Sequence, residues 1–149
     1  MFDILHRIGI HNAPPPRVYG ALTSIDKLSS WWTRDTKGRS EVGSVISFRF
    51  GERGFFDMKV LELEPARRVV WEVVAGPEEW IGTRVIWDLT PEGEGTTLRF
   101  KHQGWREPVD FMNHCSTKWA SFLFSLKAQL ENGKGAPFPD DFLISIDFD

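Results

Sequence analysis

Apolar and polar side chains alternate from the first residues: Phe2, Ile4, His6, Ile8 and Ile10 share one parity, and Asp3, Leu5, Arg7, Gly9 and His11 the other. A period of two predicts a strand. Pro14, Pro15 and Pro16 stop it, since proline is tolerated at a helix start, and Val18, Ala21 and Leu22 then recur at helical spacing. Ser24 is placed to cap a second short helix carrying Ile25, Leu28, Trp31 and Trp32. From Glu41 the period returns to two. Strands are predicted over 45–50 with Ile46, Phe48 and Phe50 on one face, over 55–64, over 69–74 with Val69, Trp71 and Val73 aligned, and over 80–89 with Ile81, Thr83, Val85, Trp87 and Leu89 inward. A last one, 96–105, aligns Leu98, Phe100 and His102. The faces of 55–64 conflict, because Phe56, Met58 and Val60 want one side and Leu61 and Leu63 the other, which predicts a bulge or strong twist near Val60.

Beyond Pro108 the pattern changes again. Phe111, Cys115, Trp119, Phe122, Leu126 and Leu130 advance by three or four positions, the spacing of one buried face on a long helix, and Asn132-Gly133 ends it. The tail, 137–149, is acidic, and its 143–146 run is expected to dock as a short edge strand. The order predicts an α+β fold. A curved antiparallel sheet of about seven strands, with two short helices after the first, must have its apolar concave face covered, and the long C-terminal helix is the only element large enough.

With 149 residues the chain is one domain, 1–149. No apolar run of about 18 residues is present, so membrane insertion is not expected, and the N-terminus lacks the pattern of a signal peptide. Net charge is -3 and the basic residues do not cluster, which argues against nucleic acid as a partner. The single cysteine, Cys115, excludes an internal disulfide and suits a reducing cytoplasm. The unusual quantity is aromatic: 7 Trp and 12 Phe against 1 Tyr. So many large rings either build a dense core or line a space.

The run from Ile10 through Pro14-Pro15-Pro16 to Thr23, followed by Trp31-Trp32, resembles the opening of the START/Bet v 1-like (SRPBCC) superfamily, and more narrowly its branch of heat-shock-protein-90 ATPase activator homologues. Leu61 to Trp71, Val85 to Leu89, Gly95 to His102, Gly104-Trp105, the helix with Trp119, Leu123 and Leu126, and Glu131 to Pro137 extend the resemblance over nearly the whole chain. It implies the helix-grip fold, in which a seven-stranded sheet wraps a long C-terminal helix around a hydrophobic cavity. It implies no single reaction, because members resemble lipid carriers, hormone receptors, polyketide cyclases and co-chaperone domains.

Three functions follow as expectations. The first is binding of an apolar or aromatic small molecule by Trp32, Phe48, Phe50, Phe56, Met58, Trp71, Val85, Trp87, Phe100, His102, Phe111, Cys115, Trp119 and Phe122; the alternative for the same rings is a packed core. The second is a cyclase- or hydrolase-like reaction using His102 with His6 or Asp57, since histidine changes charge near neutral pH. Both histidines share the parity of inward neighbours on strands that pair in this topology, whereas Asp57 enters the cavity only if the bulge precedes it. The third is a chaperone-contacting domain. No cofactor is implied, and the His and Cys positions show no metal-ligand spacing. The loops 51–54, 75–79 and 103–108, flanked by Trp80 and Trp105, are the expected gates.

Overall fold

In the computed structural model, which describes residues 1–146, seven antiparallel strands form one sheet in the order β1-β7-β6-β5-β4-β3-β2. The strands are β1 (Phe2–Ile10), β2 (Asp35–Gly38), β3 (Val45–Arg49), β4 (Phe55–Glu64), β5 (Arg68–Ala75), β6 (Arg84–Glu92) and β7 (Gly95–Trp105). Helices α1 (Pro15–Thr23) and α2 (Ile25–Trp31) follow β1, and α3 (Asp110–Asn132) lies after the sheet. Proline occupies the first turn of α1, the Ser24 side chain accepts from Lys27 N–H at the start of α2, and Gly133 ends α3 with φ of 81°. That left-handed value is where glycine caps a helix at least cost.

Parity sorts the strands as their patterns predict. Ile46, Phe48, Met58, Val60, Val69, Trp71, Val73, Val85, Trp87, Leu89, Leu98 and Phe100 are buried on the concave face. Trp119, Phe122, Leu123, Leu126 and Leu130 of α3 close it from the other side. The conflict within 55–64 is resolved by a bulge. Val60 pairs with Trp71 but Glu62 with Val70, so Leu61 is the extra residue, and Leu63 turns back toward the core. A second irregularity sits between Asp57 and Met58, where Val74 is the extra residue on β5.

Two expectations are corrected, and one strand that the pattern does not announce is added. The strand expected over 80–89 begins later, because Glu78–Trp80 form a 3-10 turn and Gly82 takes φ of 87°, so the chain is not extended until Arg84. Ile81 is thereby turned outward, 43% exposed, while Trp80 is buried. Strand β2 has no apolar alternation to announce it: of Asp35, Thr36, Lys37 and Gly38 only Thr36 is buried, and the strand exists through backbone pairing with β3 at the sheet edge. In the tail, the 143–146 run forms no strand. Leu143 and Ile146 are exposed, and the tail's only bridge among the described residues is Phe138 with Thr33.

Gly95 shows how tightly β1 and β7 approach. A Cβ there would lie 2.2 Å from the Ile10 carbonyl oxygen, a backbone atom that cannot swing away. Gly95→Ala is expected to cost about 1–3 kcal/mol, as over-packing does, and a urea midpoint equal to the wild type would overturn this reading.

Candidate functional site

The aromatic residues of the core divide into a packed group and a group around an opening. Phe48, Met58, Trp71, Val85, Trp87 and Phe100 are 2% exposed or less and pack on one another, as in Trp71–Trp87 at 5.6 Å and Trp87–Phe100 at 5.0 Å between ring centroids. Trp32, Phe50, Phe56, Phe111, Cys115, Trp119 and Phe122 instead border a cavity of about 150 Å³. The sequence could not separate the groups, because both share inward parity. Depth along the sheet separates them: the packed residues occupy the middle of the strands, and the cavity lies toward the hairpin between β3 and β4 and the N-terminal half of α3.

The cavity has walls that periodicity did not reveal. Arg53 and Gly54 come from the hairpin, Pro77 and Trp80 from the segment before β6, and Phe138 and Asp141 from the tail. Of the three expected gates, 51–54 and 75–79 therefore reach the cavity, while Trp105 of the third is buried against Trp80 and Phe111. The tail reaches it because its backbone is pinned. Phe138 N–H donates to the Trp32 carbonyl at 2.8 Å, and Ala136 N–H donates to Ser125 Oγ, which itself donates to the Trp31 carbonyl. Phe138 then meets Phe50 edge-on at 5.5 Å, and the Arg53 guanidinium lies over its ring. Pinning contacts of this kind leave no hydrophobic period, so the sequence pattern of the tail points only to its 143–146 run.

His102 does not face the cavity. It is fully buried, and both ring nitrogens are taken. Trp119 Nε1–H donates to Nδ1 at 3.1 Å, and an indole can only donate, so the imidazole proton must sit on Nε2. Nε2 meets Thr83 Oγ1 at 2.8 Å, and that hydroxyl donates onward to the Trp80 carbonyl at 2.5 Å. The chain Trp119–His102–Thr83–Trp80 thus has one direction throughout. Burial pushes the His102 pKa down to about 3, so the ring is neutral at physiological pH.

The other acid–base candidates stand apart. His6 pairs with Phe100 across the β1–β7 register, and its Nε2 donates to the Ser116 carbonyl at 3.0 Å. Asp57 pairs with Ser47 on the face opposite Phe56 and Met58 because the bulges follow it rather than precede it. His102, His6 and Asp57 therefore do not converge as an acid–base group. Cys115 does border the cavity, but burial raises its thiol to about 12, against a smaller lowering by the Trp80 N–H that its Sγ accepts at 3.4 Å. A thiol in that state packs and does not attack. Among the described residues no three His, Cys, Asp or Glu side chains are placed to hold a metal ion.

At the rim, Lys118 Nζ lies 2.6 Å from Asp141 Oδ2 and donates to the Phe142 carbonyl. The Asp141 side chain is only 2% exposed. His114 stacks on Phe111 and contacts Ser145.

Residues 12–131 match the family described as activator of Hsp90 ATPase homolog 1-like protein. The chain belongs to that family. Among solved structures, that of the Aha1 dimer from Colwellia psychrerythraea is 49% identical, with a TM-score of 0.82, covering 91% of this chain and all of that one. A Mesorhizobium loti protein at 22% identity covers 87% of this chain and 96% of its own, with a TM-score of 0.76. CalU16 from Micromonospora echinospora, at 21% identity, covers 99% of this chain and 75% of its own, with a TM-score of 0.75. The last two likenesses speak for the fold alone. No curated protein matches the sequence significantly. As an Hsp90 ATPase activator homologue of the SRPBCC type, the protein carries the helix-grip architecture with an aromatic core, and no helix among its described residues is long and apolar enough to cross a membrane.

Proposed function

We propose that the protein binds a compact apolar or aromatic small molecule in the cavity between the β3–β4 hairpin, the N-terminal half of α3 and the tail. One observation carries this: an aromatic-walled space of about 150 Å³ persists beside a core that is otherwise filled. Protein interiors pack to crystal density, and apolar cavities of about this size take up benzene-sized molecules. The dimensions favour a single ring over a lipid or polyketide. The histidine-based reaction finds no support in the geometry, and the lone buried thiol fits a cytoplasmic setting.

Titration with toluene, followed by tryptophan fluorescence and by amide shifts of residues at the cavity, is the test. Saturable binding is expected. Cys115→Leu, which fills the space from α3, should weaken it about tenfold or more, with a melting curve as the check on folding. Absence of saturation in the wild type, or equal binding by a folded Cys115→Leu variant, would refute the reading.

A second reading, contact with an Hsp90-type chaperone, is favoured by the family description and by the likeness to the Colwellia Aha1 dimer. Its measure is the chaperone's ATPase rate with and without the protein.

A further inference from the structure

Phe138 stands in the aromatic wall of the cavity, yet it belongs to a segment held down mainly by polar contacts. Two backbone hydrogen bonds fix it, from Phe138 N–H to the Trp32 carbonyl at 2.8 Å and from Arg34 N–H to the Phe138 carbonyl at 3.2 Å. Beyond it, Asp140 pairs with Arg34, both side chains 61% exposed, and Asp141 and the Phe142 carbonyl meet Lys118. Apolar burial adds little there, since Pro139, Phe142 and Leu143 are exposed. The chain just before Phe138 is anchored more firmly. Pro137 is buried, Ser125 Oγ accepts from Ala136 N–H at 2.8 Å, and a Cβ on Gly135 would lie 2.8 Å from the Ser30 carbonyl oxygen. A segment with few buried apolar contacts opens at lower free energy than the core it covers.

The ring of Phe138 occupies space that adjoins the cavity. It meets Phe50 edge-on, lies 3.3 Å from where a Cβ on Gly51 would stand, and carries the Arg53 guanidinium over it. Phe50, Arg53 and Phe138 all border the cavity, so space vacated by the ring is continuous with it. We infer that residues 138–142 form a displaceable strap, and that Phe138 holds the place of the second ring of a two-ring apolar ligand. Such a ligand binds only the lifted state and shifts the population toward it. With the strap down, the space of about 150 Å³ takes a single ring. The inference rests on the cavity being a ligand site and names a larger ligand class for it.

Toluene and naphthalene compare one ring with two of the same chemistry. The direct measurement is hydrogen exchange at the Phe138 and Arg34 amides, which make the strap's backbone bonds. Saturating naphthalene is expected to speed exchange at both by about tenfold or more, while toluene leaves them unchanged and the α3 amides stay protected. Arg34→Ala removes an exposed ion pair outside the cavity, so naphthalene should bind about two- to fivefold more tightly and toluene as before. Phe138→Ala should raise the preference for naphthalene further, and the wild-type exchange measurement needs no variant to fold. Naphthalene binding without faster exchange at Phe138 and Arg34 would overturn the strap. So would a naphthalene-to-toluene ratio unchanged in both folded variants, or naphthalene bound by none of the three chains while toluene binds. Naphthalene binding with faster exchange where toluene fails would retain the strap and remove the single-ring reading. Failure of both probes would remove the ligand site and the strap's role with it.

Discussion

Trp119→Ala is expected to leave the protein barely folded. The indole is 2% exposed and sits mid-helix on α3, with centroids 4.6 Å from Phe100, 5.1 Å from Trp32 and 5.8 Å from Trp80. Truncation of a buried tryptophan costs about 3–5 kcal/mol. Here it also removes the donor to His102 Nδ1 and leaves that nitrogen unmet in a dry site, a further cost of about 1–3 kcal/mol. Against a total stability of about 5–15 kcal/mol, that is a large fraction. Trp119→Phe keeps much of the ring but not the N–H, so it should separate the two contributions. The measurement is chemical denaturation of both variants. A fall of only a few degrees in Tm for Trp119→Ala would show that the ring mainly borders the cavity and bears little of the core.

The second large effect is acid destabilisation through His102. Its pKa is about 3 in the folded chain and about 6.5 when unfolded. Between those values the unfolded chain binds a proton that the folded chain refuses, so the unfolded state gains as pH falls. The stability is fully present above about pH 6.5 and declines at up to about 1.4 kcal/mol per pH unit down to about pH 3. The sum over that window is on the order of 5 kcal/mol. His102→Gln, which can offer an acceptor to Trp119 and a donor to Thr83, should flatten the profile between pH 6.5 and 4 even if its stability at pH 7 is lower. Parallel wild-type and variant profiles over that interval would show that other groups govern acid unfolding.

The fold was legible wherever periodicity is strong. The two-residue alternation of 45–50 and 96–105 and the three-and-four spacing from Phe111 to Leu130 place β3, β7 and α3, and the parity conflict around Leu61 marks the bulge. Strand β2 was not legible, because an edge strand held by backbone pairing needs no apolar side chains. Half of the cavity was legible for the same reason as the core: Trp32, Phe50, Phe56 and the α3 residues all carry inward parity. Parity cannot tell filled from unfilled space, so Phe48, Trp71 and Trp87 carried the same signature as the residues bordering the cavity. Asp141 and Phe138 were invisible, since they arrive through a tail whose position depends on long-range hydrogen bonds, whereas Arg53 was legible only as part of the 51–54 gate. His102 was seen as inward, but its direction of donation depends on Trp119 and Thr83, which are neighbours only in the folded chain.

All seven tryptophans belong to one connected set. Trp31 contacts Trp32 and Trp87, Trp71 contacts Trp32 and Trp87, Trp119 contacts Trp32, Trp80 and Trp87, and Trp80 contacts Trp105, at centroid distances from 5.1 Å to 6.4 Å. Indoles this close pass excitation to one another before they emit. The protein therefore behaves optically as a single antenna rather than as separate lamps. Light absorbed at Trp71, deep under the sheet, can leave from whichever indole lies lowest in energy, and a quencher placed at Trp80 or Trp119 drains the whole set. A single-tryptophan variant would sever this antenna as well as change the packing, so its spectrum would not be one component subtracted from the parent's.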